Sequence, residues 1–439
     1  MRARTIVIAA LPAIAYGWGA AAWAQGVSPA SAAKVDSGDT AWVLVSSALV
    51  LAMIVPGLAL FYGGLVRSKN VLGTIMHSLI ILCLVSLLWV LVGYSLAFGP
   101  DKAGLIGGLE WAGLNGVGAE PHPTYGPTIP HQAFMVFQLM FAAITPALIT
   151  GAFAERMKFS ALLLFAGLWS LLIYCPLAHW IWGGGWLAQL GALDFAGGAV
   201  VHISSGIGAL VGALLLGRRQ GYGSDYMAPH NLTFTLLGTG LLWFGWFGFN
   251  AGSALGANAV AVGAFLATHM AAATAALVWV GVEWVHRGRP TVLGAASGAV
   301  AGLATVTPGA GYIGLLPALL IGALAGALCY VGIMVKGRFG YDDSLDVVGI
   351  HGVGGVVGIL ATGLFASKAI NPGGADGLFF GHPAQFGIQA VTVLSVALFS
   401  LLGTYLILKL VDRLVGMRVP AEEEALGLDL SQHNERAYS

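Results

Sequence analysis

Two short segments of this sequence each combine an aspartate, a histidine and several glycines within apolar surroundings. The first is DFAGGAVVH, from Asp194 to His202, and the second is DVVGIHGVGG, with Asp346 and His351. An imidazole can donate a hydrogen bond from one ring nitrogen and accept one at the other, and its charge changes near neutral pH. The pair of segments therefore indicates proton transfer, or the handling of a small polar molecule, at a site that both histidines share.

The composition places these segments in a membrane protein. Of 439 residues, 58% are hydrophobic and 9% are charged, and the formal net charge is zero. These proportions exclude an ordinary soluble domain, and without a basic surface nucleic acid is not an expected partner. Ionisable side chains inside a membrane are expensive and usually functional, so the two histidines are the leading candidates for a site.

Eleven apolar runs are of the length that crosses the hydrocarbon core, which takes about 20 helical residues. Their centres lie near residues 54, 85, 142, 170, 207, 242, 268, 300, 323, 356 and 399. Lys and Arg concentrate in the odd-numbered connections and after the last run, which marks those parts as cytoplasmic. The sequence predicts an all-α polytopic membrane protein with eleven transmembrane helices, its N-terminus outside and its C-terminus inside.

The two ends of the chain have their own patterns. The first residues combine a basic start, a short apolar core and the sequence Ala-Trp-Ala before Gln25, which is typical of a secretory signal peptide. We expect residues 1–24 to be cleaved, residues 25–417 to form the membrane domain and residues 418–439 to form a cytoplasmic tail. An uncleaved first helix is the alternative.

An odd number of spans allows two inverted five-helix repeats plus one extra helix, as in many transporters. His202 follows the start of the fifth span and His351 the start of the tenth, so the two approach the midplane from opposite sides. Small residues let helix backbones come close together. They are Gly198 and Gly206 near His202, and Gly354, Gly355 and Gly358 near His351. We therefore expect the two imidazoles to touch.

Other residues that could do chemistry have simpler explanations. His77 and His269 fall inside spans without a symmetric partner, and we interpret them as packing residues. The three cysteines lie in apolar runs without metal-site spacing, so neither a metal site nor a disulfide is expected. We expect no cofactor, and no constellation of nucleophile and base suggests an enzyme.

Seven motifs resemble the Amt/MEP/Rh family of ammonium transporters, and of its branches the bacterial Amt type. They are GAFAER, AHWIWGGGW, ALDFAGGAVVHI, GWFGFNAGS, VTPGAGYIG, DVVGIHGVGG and GLDLSQHNERAY, in this order from the third span to the C-terminus. The resemblance implies a homotrimer in the inner membrane, surrounded by lipid, with one pore in each subunit. It also implies a tail that packs beneath the trimer and a trimeric PII-type signal protein as a cytoplasmic partner.

The resemblance assigns roles to seven residues. Trp182, Phe141 and Ser253 would recruit ammonium outside, Phe141 and Phe249 would form a gate, and His202 and His351 would line the pore. Asp194 would lie near the outer site. Capping the first turn of its helix is a sufficient role for Asp194, although its charge could also attract a cation.

The chemistry explains why such a pore would carry ammonia. Taking a bare cation through a dry pore has an idealised cost of tens of kcal/mol, whereas removing the proton of ammonium costs at most roughly 4 to 5 kcal/mol, with lysine as the upper proxy. An indole face supplies about 0.5 to 2 kcal/mol of cation-π attraction for weak recruitment. We expect import in which ammonium binds outside, loses its proton and crosses as ammonia, while the histidines relay the proton separately.

Three alternatives stay open at this point. A passive ammonia channel would use the same pore without moving the proton. An ammonium sensor would report occupancy of the pore to a cytoplasmic partner, although no kinase or cyclase domain is fused to the chain. A transition-metal transporter would need carboxylates or thiolates beside the histidines, and none lies at that depth.

Overall fold

A computed structural model describes residues 34–438 and shows a mostly helical bundle with short strands in one loop. The predicted signal peptide lies outside the described residues. Within residues 34–438, ten helices are long and apolar enough to cross a membrane, and an eleventh apolar helix is shorter. In chain order they are α1 (Ser37–Leu65), α2 (Ser68–Phe98), α3 (His131–Phe153), α4 (Phe159–Leu190), α5 (Gly198–Leu216), α6 (Leu232–Gly252), α7 (Ala259–Arg287), α8 (Val292–Val306), α9 (Leu315–Phe339), α10 (Val348–Phe365) and α11 (Pro383–Val415).

The shorter helix, α8, occupies the run that was centred near residue 300. Its 15 residues extend about 22 Å at 1.5 Å per residue, which is less than the roughly 30 Å of a hydrocarbon core. The multi-pass helical architecture is confirmed. The count of eleven crossings, the inverted repeats and the orientation of the termini stay predictions.

Local signals set many helix ends. Asn231, Asn258 and Thr291 precede α6, α7 and α8, and each side chain accepts a hydrogen bond from a backbone N–H in the first turn. Such N-caps satisfy amide groups that have no partner within the helix. At the other end of α7, Gly288 adopts φ +75°, the left-handed conformation that commonly closes a helix.

The connection from α2 to α3 contains all four strands that the structure describes. Asp101–Lys102 pairs with Ile106–Gly107, and Pro121–His122 pairs with Gly126–Pro130, both antiparallel. This connection covers the end of the bundle where Trp182 lies, because the Trp186 N–H donates to the carbonyl oxygen of Gly104 in it. We call this end the Trp182 end.

A buried charge network joins the connections at the opposite end. Glu155 is 1% exposed, and it accepts hydrogen bonds from Arg67 and forms an ion pair with Arg219. Arg219 also pairs with Asp342 at 2.9 Å, and Arg156 donates to the backbone carbonyl oxygen of Asp342 at 2.5 Å. Buried charges need partners of this kind, so the network fixes four connections relative to one another.

The residues after α11 pack against this charged end. They contain two short helices, α12 (Ala421–Leu426) and α13 (Leu428–His433). Arg418 pairs with Glu424 at 2.8 Å and donates to the carbonyl oxygen of Arg218. The backbone N–H of Gly73 in α2 donates to the Asp429 carboxylate at 2.8 Å. The tail is thus joined by hydrogen bonds to two separate parts of the bundle, the connection after α5 and the start of α2.

Candidate functional site

The two histidines of the paired segments meet in the centre of the bundle. Nδ1 of His202 lies 3.1 Å from Nδ1 of His351, and the rings are 5.1 Å apart with an interplanar angle of 23°. His202 is 1% exposed and His351 is 4% exposed. At this separation one Nδ1 donates and the other accepts, so the pair shares a proton between the two helices. Nε2 of His202 is buried and has no hydrogen-bond partner among residues 34–438.

Both histidines lie in π-helical stretches at the starts of their helices. His202 belongs to Gly198–Ile203 in α5, and His351 to Val348–Gly352 in α10. Wider turns of this kind change the direction in which a side chain points, and they are frequent at functional sites. The two histidines thus lie in the same type of backbone conformation, on helices from different parts of the chain.

Small residues bring these two helices together. A Cβ atom on Gly206 would lie 2.3 Å from Cα of Gly352, and one on Gly355 would lie 2.8 Å from the carbonyl oxygen of Gly198. The sequence analysis did not single out Gly352. Gly354 and Gly358, which it did single out, face the end of α8 instead, near Thr305. The glycines therefore allow two close helix contacts, one between α5 and α10 and one between α10 and α8.

Aromatic rings form a continuous series from the Trp182 end to the histidines. Trp182 meets Phe141 at 5.9 Å in an edge-to-face contact, and Phe141 stacks on Phe249 at 4.2 Å. Phe249 lies 6.2 Å from His202, with the ring planes 25° apart. Five of the seven candidate residues, counting His351, thus follow one another along a single path.

A narrow cavity surrounds the histidines. Its open space of about 10 Å³ accommodates about one water molecule. It is lined by Met, Leu, Ile, Val, Phe, Tyr, Trp and His side chains, and no Asp, Glu, Lys or Arg of the described residues is among them. The hydroxyl of Tyr62, one of the lining residues, donates to the carbonyl oxygen of Leu148. An ion in this cavity would find almost nothing to replace its hydration shell.

Asp194 organises the start of α5. Its two carboxylate oxygens accept hydrogen bonds from the backbone N–H groups of Gly197, Gly198, Ala199 and Val200, at 2.6 to 3.1 Å. Its carbonyl oxygen accepts from the Trp182 indole N–H at 2.8 Å. Burial raises the pKa of Asp194, and the four backbone hydrogen bonds oppose that shift. The geometry favours capping and orientation of Trp182 over direct attraction of a cation.

Ser253 lies at the end of α6, four residues after Phe249. Its hydroxyl donates to the Phe249 carbonyl oxygen at 2.9 Å, which leaves its lone pairs free to accept a hydrogen bond. No hydrogen bond within residues 34–438 joins it to Trp182. The structure therefore connects Ser253 to the ring series only through Phe249.

Two residues of the site were missed by the sequence analysis. Trp246 stacks 5.7 Å from His202 and donates from its indole to Thr307 at 3.0 Å. Its helical spacing of three from Phe249, on the same face of α6, was the available signal. Asp343 is the other, and it corrects the pairing of Asp194 with Asp346.

Asp343 stands eight residues before His351, just as Asp194 stands eight before His202. Its carboxylate accepts a hydrogen bond from the N–H of Val348, in the first turn of α10. Asp346 has φ +62° and instead forms an ion pair with Lys336 of α9. Asp343 is thus the residue whose position and capping contact match those of Asp194.

Sequence comparison matches most of the chain to known proteins. The sequence model described as Ammonium Transporter Family matches residues 41–438. The ammonium transporter of Bacillus subtilis is 53% identical over 405 residues, which cover 92% of this chain and 99% of that protein. The ammonium transporter of Aquifex aeolicus is 52% identical over 415 residues, covering 93% and 95%.

Solved structures show the same fold. The crystal structure of Candida albicans Mep2 aligns with a TM-score of 0.84 at 36% identity, covering 89% of this chain and 88% of that one. A structure described as Sensor Amt Protein aligns with a TM-score of 0.82 at 30% identity, covering 90% and 98%. The bundle is that of a multi-pass membrane protein of a transporter class. The chain belongs to the ammonium transporter family.

Proposed function

We propose that the protein imports ammonium across the inner membrane by carrying ammonia through its own pore and moving the proton separately. The observation that carries this proposal is the path of five rings from Trp182 to His351. This path leads into a cavity without charged lining residues, which favours a neutral molecule over an ion.

Recruitment begins at Trp182. Its indole N–H is held by the Asp194 carbonyl oxygen, so the ring has a fixed orientation at the entrance of the path. The face of an indole attracts a cation by about 0.5 to 2 kcal/mol, which concentrates ammonium without trapping it. Ser253 would accept a hydrogen bond from the bound ammonium, and Asp194 acts chiefly by holding the start of α5.

Passage requires the stacked rings to part. Phe141 and Phe249 are each 1% exposed and close the path between the outer site and the histidines. Ammonium gives up its proton before this gate, because the neutral molecule crosses apolar surroundings at a much lower cost. Potassium has no proton to give up, so the same gate rejects it.

The imidazole pair receives ammonia and the proton. Nε2 of His202 is buried without a partner among the described residues, so it can accept a hydrogen bond from ammonia in the cavity. The short contact between the two Nδ1 atoms supports transfer of a proton from one ring to the other. Ammonia and the proton then leave on the cytoplasmic side, where they recombine.

The assembly is part of the proposal. We expect a homotrimer with one pore in each subunit and a PII-type protein at its cytoplasmic face. The tail is a suitable sensor of such a partner, because Arg418 and Glu424 tie it to the connection after α5 and Asp429 ties it to α2. Residues 418–439 would then act as a regulatory segment.

A sensor is the second candidate. The structural similarity to the Sensor Amt Protein at 30% identity favours it, together with the packed tail. A metal transporter gains no support, since within residues 34–438 no three His, Cys, Asp or Glu side chains are grouped to hold a metal ion.

Reconstituted protein on a solid-supported membrane tests the function. We expect an ammonium concentration jump to evoke a transient current and an equal potassium jump to evoke none. A passive ammonia channel would instead change the internal pH without a current. Equal responses to the two cations would overturn the proposal, because they would require an ion-conducting path.

A further inference from the structure

Three aspartates precede α10 at the charged end of the bundle, and they have different partners. Asp342 forms an ion pair with Arg219, and Asp346 forms one with Lys336. No ion pair within residues 34–438 involves Asp343. Its Oδ2 accepts from the Val348 N–H, while its Oδ1 is buried and has no hydrogen-bond partner among those residues.

The chain segment that begins at this carboxyl group reaches the cavity. Asp343 is fully buried, and Leu345, two residues further on, lines the space around the histidines. A Cβ atom on Gly151 would lie 2.7 Å from both the Val347 side chain and the Tyr62 ring, so these two side chains come together at Gly151. Tyr62 is itself a lining residue, so the segment from Asp343 to Val347 lies against the cavity wall.

A buried carboxylate with a free oxygen is costly unless it takes up a proton or meets water. Structural capping explains one oxygen of Asp343 and leaves the other unexplained. Ion pairing is not its purpose either, since the neighbouring cations have other acceptors. Arg156 donates to backbone carbonyl oxygens and to the Ser344 hydroxyl. Arg219 serves Asp342, and the Lys336 ammonium serves Asp346 and the backbone carbonyl oxygen of Asp343.

We propose that Asp343 is the inner proton acceptor of the pore, which takes the proton from the imidazole pair and releases it to cytoplasmic water. This inference rests on the proposed function. In the transfer, a proton leaves an imidazolium nitrogen, which becomes neutral, and binds Oδ1 of Asp343 by way of water. The carboxylic acid then loses the same proton to water and returns to the carboxylate.

The charges that face Asp343 suit such a role. Burial raises its pKa to about 6, aided by the Asp346 carboxylate and opposed by Lys336 and by hydrogen bonds from the backbone. The guanidinium of Arg156, the phenol of Tyr62 and the phenol of Tyr341 are the other titratable groups close enough to interact with it. A carboxyl group that titrates near neutral pH can both accept and release a proton during turnover.

Substitution by asparagine separates proton acceptance from capping. Asp343→Asn keeps an oxygen for the Val348 N–H but cannot carry the proton. In proteoliposomes, we expect the charge moved per ammonia to fall by about tenfold or more, while ammonia uptake, followed by an internal pH dye, continues. Asp412→Asn is the matched control, because its carboxylate also accepts one backbone N–H, from Met417, and does not line the cavity, and it should keep the wild-type ratio.

Asp343→Glu provides the second variant. It retains a carboxyl group, so we expect it to move more charge per ammonia than Asp343→Asn, and this comparison holds even where both variants are less stable than the wild type. An Asn variant with the wild-type ratio would overturn the inference, and so would a Glu variant no better than a folded Asn variant. Should Asp343→Asn fail to fold, a Glu variant that folds but moves no charge would also overturn it. A wild type without any ammonium-evoked current would instead reject the proposed function.

Discussion

Asp194 and Asp343 occupy matching places in the chain, eight residues before the two histidines, yet their surroundings differ. Both oxygens of Asp194 are used by four backbone N–H groups, and its carbonyl oxygen holds Trp182. Asp343 caps α10 through one oxygen and leaves the other free. The same spacing therefore gives a structural cap at the Trp182 end. At the charged end it gives a carboxyl group with one oxygen that has no hydrogen-bond partner among the described residues.

The largest expected effect is a difference in stability between alanine variants of these two aspartates. Asp194→Ala leaves four buried N–H groups without their acceptor, and we expect a loss of stability on the order of 4 kcal/mol or more. Asp343→Ala removes the acceptor of Val348 and also an uncompensated carboxyl group, so we expect a loss below about 3 kcal/mol. Thermal unfolding in detergent compares the two variants. Equal losses would show that the two aspartates do the same structural work.

A second prediction concerns the crossing that brings the histidines together. In Gly206→Ala the new methyl group would overlap the backbone of Gly352, and backbone cannot move aside as a flexible side chain can. We expect a loss of about 1–3 kcal/mol and a displaced histidine pair.

Gly240→Ala in α6 is the control for this substitution, because a Cβ there meets nothing within 4 Å. It should leave stability unchanged or raise it by up to about 1 kcal/mol. An alanine at position 206 that is as well tolerated as one at 240 would contradict the close approach of α5 and α10.

The smallest expected effect lies at the entrance of the path. Replacing Trp182 by leucine removes a cation-π contribution of about 0.5 to 2 kcal/mol, so we expect the KM for ammonium to rise by roughly 2- to 30-fold. Trp186→Leu is the control, since Trp186 packs on Trp180 and not on Phe141. Concentration series of ammonium-evoked currents measure both. A larger KM change in Trp186→Leu would move the recruitment site away from Trp182.

Hydropathy predicted the spans well because the need for a long apolar helix is a local property of the sequence. It was less informative for α8, where Thr291 caps the start and Pro308 follows the end, so the helix stops after 15 residues. Proline lacks the backbone N–H that would continue the helical hydrogen-bond pattern, and this signal was present in the sequence.

The interior of the site was harder to predict. Trp246 was not distinguished from packing residues despite its spacing of three from Phe249, because α6 is apolar around much of its circumference. The choice of Asp346 as the counterpart of Asp194 was wrong for a related reason. Its ion pair with Lys336 on α9 is a contact between helices, which spacing within one segment does not show.

Current recording with His202→Ala beside His269→Ala tests the central claim most directly. His269 also lies within a span, but its ring packs against Trp243 and Phe247 and does not line the cavity. We predict that His202→Ala lowers the ammonium-evoked current by about tenfold or more, whereas His269→Ala keeps it, because only His202 passes on the proton. An unchanged current in His202→Ala would contradict the account, since the charge would then cross without the imidazole pair.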